Sequence, residues 1–251
     1  MLPGGDAESD LYDEEIRFND DQIRTLYQKL EQLGIAKDTL FVVTADHGEA
    51  FFDHDKAGHG LSVYQEEIRI PLLFARPGAL PPRVVDAPVQ SVDVMPTILR
   101  HCAVPFDPAR LQGRDLLGLS EASLRSRSAF ASRFVYPDAP ELAEFFDQEQ
   151  YAVTEGASKL IVKNRKGGPP TLELYDLLAD PRERTDRKAR QPERAAGLQR
   201  RLTEFVSRQQ LARAAFLKDH PDEAAPLARS GNPGSLPQDV KERLQSLGYL
   251  R

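Results

Sequence analysis

Apolar positions recur at helical spacing near the start of the chain. In YDEEIRFNDDQIRTLYQKLEQLG, Ile16, Ile23, Leu26, Tyr27, Leu30 and Leu33 fall on one stripe. Asp13, Glu14 and Glu15 suit the positive end of a helix dipole and Gly34 stands where a C-terminal cap belongs, so the pattern predicts a long amphipathic helix. The period then changes. DTLFVVTA, residues 38–45, is a continuous apolar run rich in β-branched residues, which predicts a strand buried on both faces of a parallel sheet. RIPLLFARPG predicts a second buried strand over Ile70 to Ala75, and SVDVMPTILRHC a short helix with Pro96 tolerated in its first turn.

Residues 104–127 are loop-rich, and beyond them the texture changes again. SAFASRFVY, QYAVTEG, SKLIVKN and TLELYDL are short strand-like segments separated by turn residues, which predicts an antiparallel sheet. Helical spacing returns through Ala195, Leu198, Leu202, Phe205 and Val206; a Pro/Gly/Ala-rich stretch follows, and PQDVKERLQSLGYL predicts a last short helix. The expected fold class is α/β: a mostly parallel sheet covered by helices over residues 1–120, a small antiparallel α+β subdomain over 121–215, and an irregular tail over 216–251 ending in a short helix.

Composition narrows the function classes. The 251 residues are 40% hydrophobic and 29% charged, ordinary for a globular chain, and the net charge of −6 leaves no basic domain for nucleic acid. The single cysteine excludes an internal disulfide framework. No apolar run approaches the roughly 18 to 20 residues of a membrane span, and MLPGGDAESD lacks the basic and apolar regions of a signal peptide.

Candidate chemistry concentrates in VVTADHGEAFFDHDKAGHG, residues 42–60, which holds three of the five histidines: His47, His54 and His59. Asp46, Glu49, Asp53 and Asp55 accompany them, directly after a predicted strand, where α/β folds build ligand sites. Asp46 and His47 offer a carboxylate and an imidazole to a divalent cation, although two ligands do not make a site. The loop's oxygen-rich surroundings favour calcium, magnesium or manganese over structural zinc; a solvated acidic loop face is the alternative. Elsewhere, Cys102 at the end of an apolar helix reads as an inert buried thiol, and His101 and His220 as solvent-facing. The Arg-rich stretch from Arg182 to Arg213 offers an anion-binding patch, but its apolar stripe at helical spacing and interspersed acids favour a solvated helix face, and Tyr175–Asp176 reads as a strand-to-turn element.

TADHGE after a strand, followed by GHGLSVYQEEIRIPLLF, resembles the sulfatase family of the alkaline-phosphatase superfamily. VQSVDVMPTILRHCAVP, LELYDLLADPRERTD and LQSLGYL extend the resemblance over most of residues 12–251. It implies part of an alkaline-phosphatase-like sandwich, and hydrolysis of sulfate esters, with phosphodiester or phosphonate monoester hydrolysis as the neighbouring chemistry. By resemblance, Asp46 ligates the divalent metal (usually calcium, with manganese or magnesium as alternatives) and His47 occupies the adjacent ligand position. His59 falls where the family contacts the ester's oxygens; it could instead protonate the leaving alcohol. Glu49 and His54 are expected beside this centre in supporting positions, Glu49 as an acceptor of loop amides.

The chain departs from the family at the nucleophile. Sulfatases mature a cysteine or serine to formylglycine within Cys/Ser-x-Pro-x-Arg; here Cys102 has proline three residues on and no arginine in register, and no serine fits. The resemblance is therefore to a C-terminal half, whose N-terminal half or partner chain would carry the nucleophile, and a non-catalytic remnant is the other expectation. The expected partner is a sulfate-ester substrate; family members are often periplasmic or secreted.

Overall fold

The computed structural model describes residues 5–134, 148–165 and 167–220. Helix α1 spans Gly5–Gln32, and Gly34, at φ +74°, ends it in the left-handed conformation that glycine adopts without strain. Its expected apolar stripe is largely exposed: Ile16, Ile23, Leu26 and Leu33 are all accessible. Its aromatic residues do find partners, Tyr27 against Phe41 at 5.2 Å and Tyr12 edge-on to Phe51 at 5.3 Å.

Strand β1, Phe41–Thr44, pairs with β4, Leu72–Ala75, in antiparallel register from Phe41 opposite Ala75 to Thr44 opposite Leu72. This corrects the parallel expectation. A parallel pair needs a crossover of a dozen or more residues, usually helical, whereas the connection here holds only a two-stranded hairpin and the single turn of helix α2, Gln65–Ile68. Nor are the strands buried on both faces, since β1 is half-buried with Thr44 exposed and Leu73 of β4 is exposed. The hairpin comprises β2, Ala50–Phe51, and β3, Ala57–Gly58. Helix α3, Val94–His101, follows a 3-10 turn at Ser91–Asp93, with Pro96 in its first turn as expected. Cys102, expected buried, is exposed just past the helix end.

After the short helix α4, Glu121–Arg125, come four strands: β5, Ser128–Arg133; β6, Gln148–Glu155; β7, Ser158–Arg165; and β8, Thr171–Asp176. They form an antiparallel meander in the order β5-β6-β7-β8. Helix α5, Pro192–Asp219, buries Ala195, Leu198 and Leu202. The described residues divide into two compact units, one ending at residue 202 and one beginning at residue 203. The division falls inside α5. The last predicted helix and most of the tail lie outside the described residues.

The meander shares a core with the segment that follows the hairpin. Val63 and Tyr64 cluster with Ala152, Ile161 and Tyr175 of the meander. Alternate residues of a strand share a face, and the face bearing Ala152 and Ile161 also bears Gln150, Lys159 and Glu173. These polar side chains hold the irregular segment after His59. Arg133 Nε donates to Gly60 O at 3.0 Å, Gln150 Nε2 to Leu61 O at 3.2 Å and Lys159 Nζ to Val63 O at 2.6 Å. Tyr64 Oη donates to Glu173 at 2.7 Å. Carbonyls taken out of water need such partners, which is why polar residues face the core of this sheet.

Candidate functional site

The histidine-rich loop is a hairpin with chemistry at both ends. The ladder pairs Ala50 with Gly58 and Phe51 with Ala57, so Glu49 and His59 face one another across its base. There His59 Nδ1 lies 2.8 Å from Glu49 Oε2, which fixes the Nδ1–H tautomer and the orientation of the ring.

His47 reaches the same place from the end of β1. Its ring stacks on His59 with centroids 4.0 Å apart, and one ligand atom each from His47, Glu49 and His59 falls within 4.8 Å of the others. His47 Nδ1 donates to Gly48 O at 2.9 Å, because a carbonyl can only accept. That leaves the lone pair on Nε2, an atom buried without a hydrogen-bond partner, 3.6 Å from Asp46 Oδ2. Asp46 itself is exposed and accepts from His47 N at 3.0 Å through Oδ1. Gly48 is pinned between them and α2: its N–H donates to Glu67 O at 2.8 Å, and a Cβ there would stand 2.0 Å from Glu66 O. Only glycine lets the loop pass this close.

Glu49 was expected to accept loop amides; it holds His59 instead, and the amide-holding role falls to buried Glu67, which accepts from Leu61 N at 2.9 Å and Ser62 Oγ at 2.6 Å. His54, expected beside the metal, lies at the far end of the hairpin, where Nδ1 is 2.7 Å from Glu66 Oε1, Nε2 is 2.9 Å from Glu183 O, and the ring stacks flat on Tyr64 at 3.6 Å. Both nitrogens face acceptors, so both carry protons and the ring is an imidazolium with no lone pair for a metal. Burial pulls its pKa down, but the hydrogen bonds to Glu66 and to Glu183 O outweigh burial and leave it raised.

Tyr12 of α1 went unrecognised in the sequence. Its ring lies edge-on to Phe51 of the hairpin, and burial, then the charges of Glu49 and Asp46, raise its pKa. Its position on the helix stripe was the available signal.

Residues 5–104 match the family described as Sulfatase. Those residues are sulfatase-family sequence. Among curated relatives, arylsulfatase K of Bos taurus is 29% identical over 182 residues, covering 71% of this chain and 33% of the relative. An endo-4-O-sulfatase of Bacteroides thetaiotaomicron is 35% identical over 95 residues, covering 38% of this chain and 19% of the relative. A protein solved in complex with its substrate D-glucosamine-2-N,6-O-disulfate superposes with a TM-score of 0.60 at 26% identity, over 75% of this chain and 38% of that one. The chain thus spans about a third or less of the length of these curated relatives. The sulfatase-family segment contains all of Asp46, His47, Glu49, His54 and His59. Among the described residues, no helix is long and apolar enough to cross a membrane.

Proposed function

We propose that this chain supplies the cation-binding and oxygen-contacting part of a metal-dependent sulfate-ester hydrolase. The observation that carries the reading is His47 Nε2, a buried lone pair with no hydrogen-bond partner beside a carboxylate. A buried polar atom left unmatched costs about 1–3 kcal/mol, and a ligand that accepts the lone pair removes that cost. The separation of 3.6 Å from Asp46 Oδ2 is close to what two neighbouring ligands on one divalent ion need. Asp46 and His47 therefore fit as the pair that holds the cation. The family's calcium takes six to eight oxygen ligands; with nitrogen in the set, manganese fits these residues as well as calcium does. Bound there, the ion would neutralise charge developing on the ester's oxygens.

The chain's own residues do the rest. Glu49 holds His59 through Nδ1–H, so it is the doubly protonated ring that would donate, from Nε2–H, a hydrogen bond to an ester oxygen or a proton to the leaving alcohol. Stacking against His47 sets it beside the cation pair. The nucleophile is not among these residues, and exposed Cys102 is no candidate, since it lacks the arginine in register. Sulfated amino sugars are the substrate class to try first, given the solved relative's disulfated glucosamine.

Calorimetric titration with manganese and calcium tests the cation pair. One ion per chain is expected, lost in Asp46→Ala and His47→Ala; absence of uptake of either ion overturns the assignment. Parallel assays on a sulfate monoester and a phosphate diester, using the longest form of the protein its source makes, separate sulfuryl from phosphoryl transfer. Turnover of the diester alone would reverse the choice of chemistry.

A further inference from the structure

The far end of the hairpin borders a cleft of about 320 Å³, lined by Phe52, Asp53 and His54 on one side and by Tyr175, Arg182 and Arg184 on the other. That volume is at the lower end of ligand sites and suits one sugar ring. We propose that this cleft is a second anion subsite, which takes a sulfate group on the saccharide that carries the ester to be cleaved. The proposal rests on the sulfate-ester reading for the first site.

Three observations converge. Arg182 and Arg184 are exposed, and among the described residues neither meets a carboxylate or any other hydrogen-bond partner. They were read in the sequence as part of a solvated helix face, but they precede α5 and flank Glu183, whose backbone is left-handed at φ 53°. Glu183 turns inward to Lys159 at 2.7 Å, so its charge is spent inside the protein while its two neighbours remain outside. Glu183, which also lines the cleft, is offset by Lys159, and His54 is offset by Glu66 at 2.7 Å, so against the one negative charge of Asp53 the two arginines leave the cleft an excess of positive charge.

The second observation is Phe52. It is left-handed at φ 64° and 38% exposed, although a phenyl side chain gains nothing from either. Residues held this way collect at ligand sites, where the surrounding structure imposes the strain. An exposed aromatic face beside two guanidinium groups matches a sugar ring that bears an anionic group. Two guanidinium groups suit sulfate better than carboxylate. A carboxylate is satisfied by one bidentate arginine, whereas a tetrahedral sulfate has oxygens for both.

The third is distance. Phe52 is three residues from Glu49, at most about 10 Å of extended chain. A mono- or disaccharide with one sulfate at the hairpin base can present a second sulfate at its tip.

The test uses calorimetry at low salt on the full chain, with a disaccharide carrying one sulfate and its counterpart carrying two. The second sulfate is expected to tighten binding about tenfold in the wild type. In R182Q/R184Q this gain disappears while affinity for the singly sulfated sugar is unchanged. Both substitutions are at exposed turn positions, and thermal unfolding of the variant checks that the fold is retained. Equal affinities in the wild type, no saccharide binding at all, or a gain that survives in the double variant would each overturn the proposal. A gain that depends on the arginines in a protein that takes up no cation at Asp46 and His47 would retain the subsite and remove the reading of the first site, so the two failures are distinguishable.

Discussion

Replacing Glu183 with glutamine probes the joint between the meander and the hairpin. Lys159 and Glu183 are both fully buried, with Nζ 2.7 Å from Oε1 as an ion pair rather than an aligned hydrogen bond. Glu183 Oε2 accepts from Gln65 N at 2.6 Å, and Lys159 also donates to Val63 O. Burial lowers the lysine's pKa and raises the glutamate's, so each is kept charged by the other. At an effective dielectric constant of 20, the attraction at this separation is about 6 kcal/mol before desolvation is subtracted. In Glu183→Gln the amide oxygen can still accept from Gln65, but the ammonium is left with one carbonyl. Stranding one partner of a buried pair costs about 3–5 kcal/mol, or a melting temperature lower by about 6–20 °C in a chain of this size. Urea unfolding measures the first and calorimetry the second. Because the stranded lysine escapes the cost by losing its proton, and its folded pKa is depressed, the deficit shrinks as pH rises through that pKa. Lys159→Met combined with Glu183→Gln should recover most of the loss. A loss below about 1 kcal/mol in the single variant, or a double variant as unstable as the sum of the singles, would refute the burial argument.

Other consequences follow from the same geometry. The folded pKa of His54 is raised, so its stabilisation is complete below the unfolded value of about 6.5 and is lost as pH rises through the folded value. His54→Gln should flatten the fall in unfolding free energy over that window; an unchanged slope would assign the dependence elsewhere. Gly48→Ala sets a methyl group against Glu66 O, so a loss of about 1–3 kcal/mol is expected, together with weaker cation uptake. Undiminished uptake would mean that the loop's close approach to α2 does not position His47.

Much of the local structure was legible in the sequence. The four meander strands lie where alternation and turn residues predicted them, and His47, Glu49 and His59, which the structure brings together, all belong to one motif after one strand. Pairing direction was not legible. An apolar β-branched run predicts a strand but says nothing of its neighbour, and β1 with β4 proved antiparallel. His54 shows a different limit: nothing in its spacing distinguishes a histidine near a metal from one whose nitrogens are both taken, by Glu66 and by a carbonyl 129 residues further along the chain. The hydrogen bonds between the meander and the segment after the hairpin were hidden for a related reason. Lys159, Gln150 and Arg133 look like surface residues in a strand pattern, and their partners are backbone carbonyls far away in sequence.

The hairpin of residues 49–59 has only two ladder rungs, yet it is tied down at both ends: at its base through Gly48 to Glu67 O, and at its tip through His54 to Glu183 O. A short beam clamped at both ends transmits displacement along its length instead of absorbing it. On the proposed reading, a ligand that shifts the tip would be felt at the base, where His59 meets Glu49, and would turn the imidazole without touching the ester. If the chain acts as proposed, recognition and chemistry would be two readings of one lever, and changes in tip sequence would retune turnover as well as affinity.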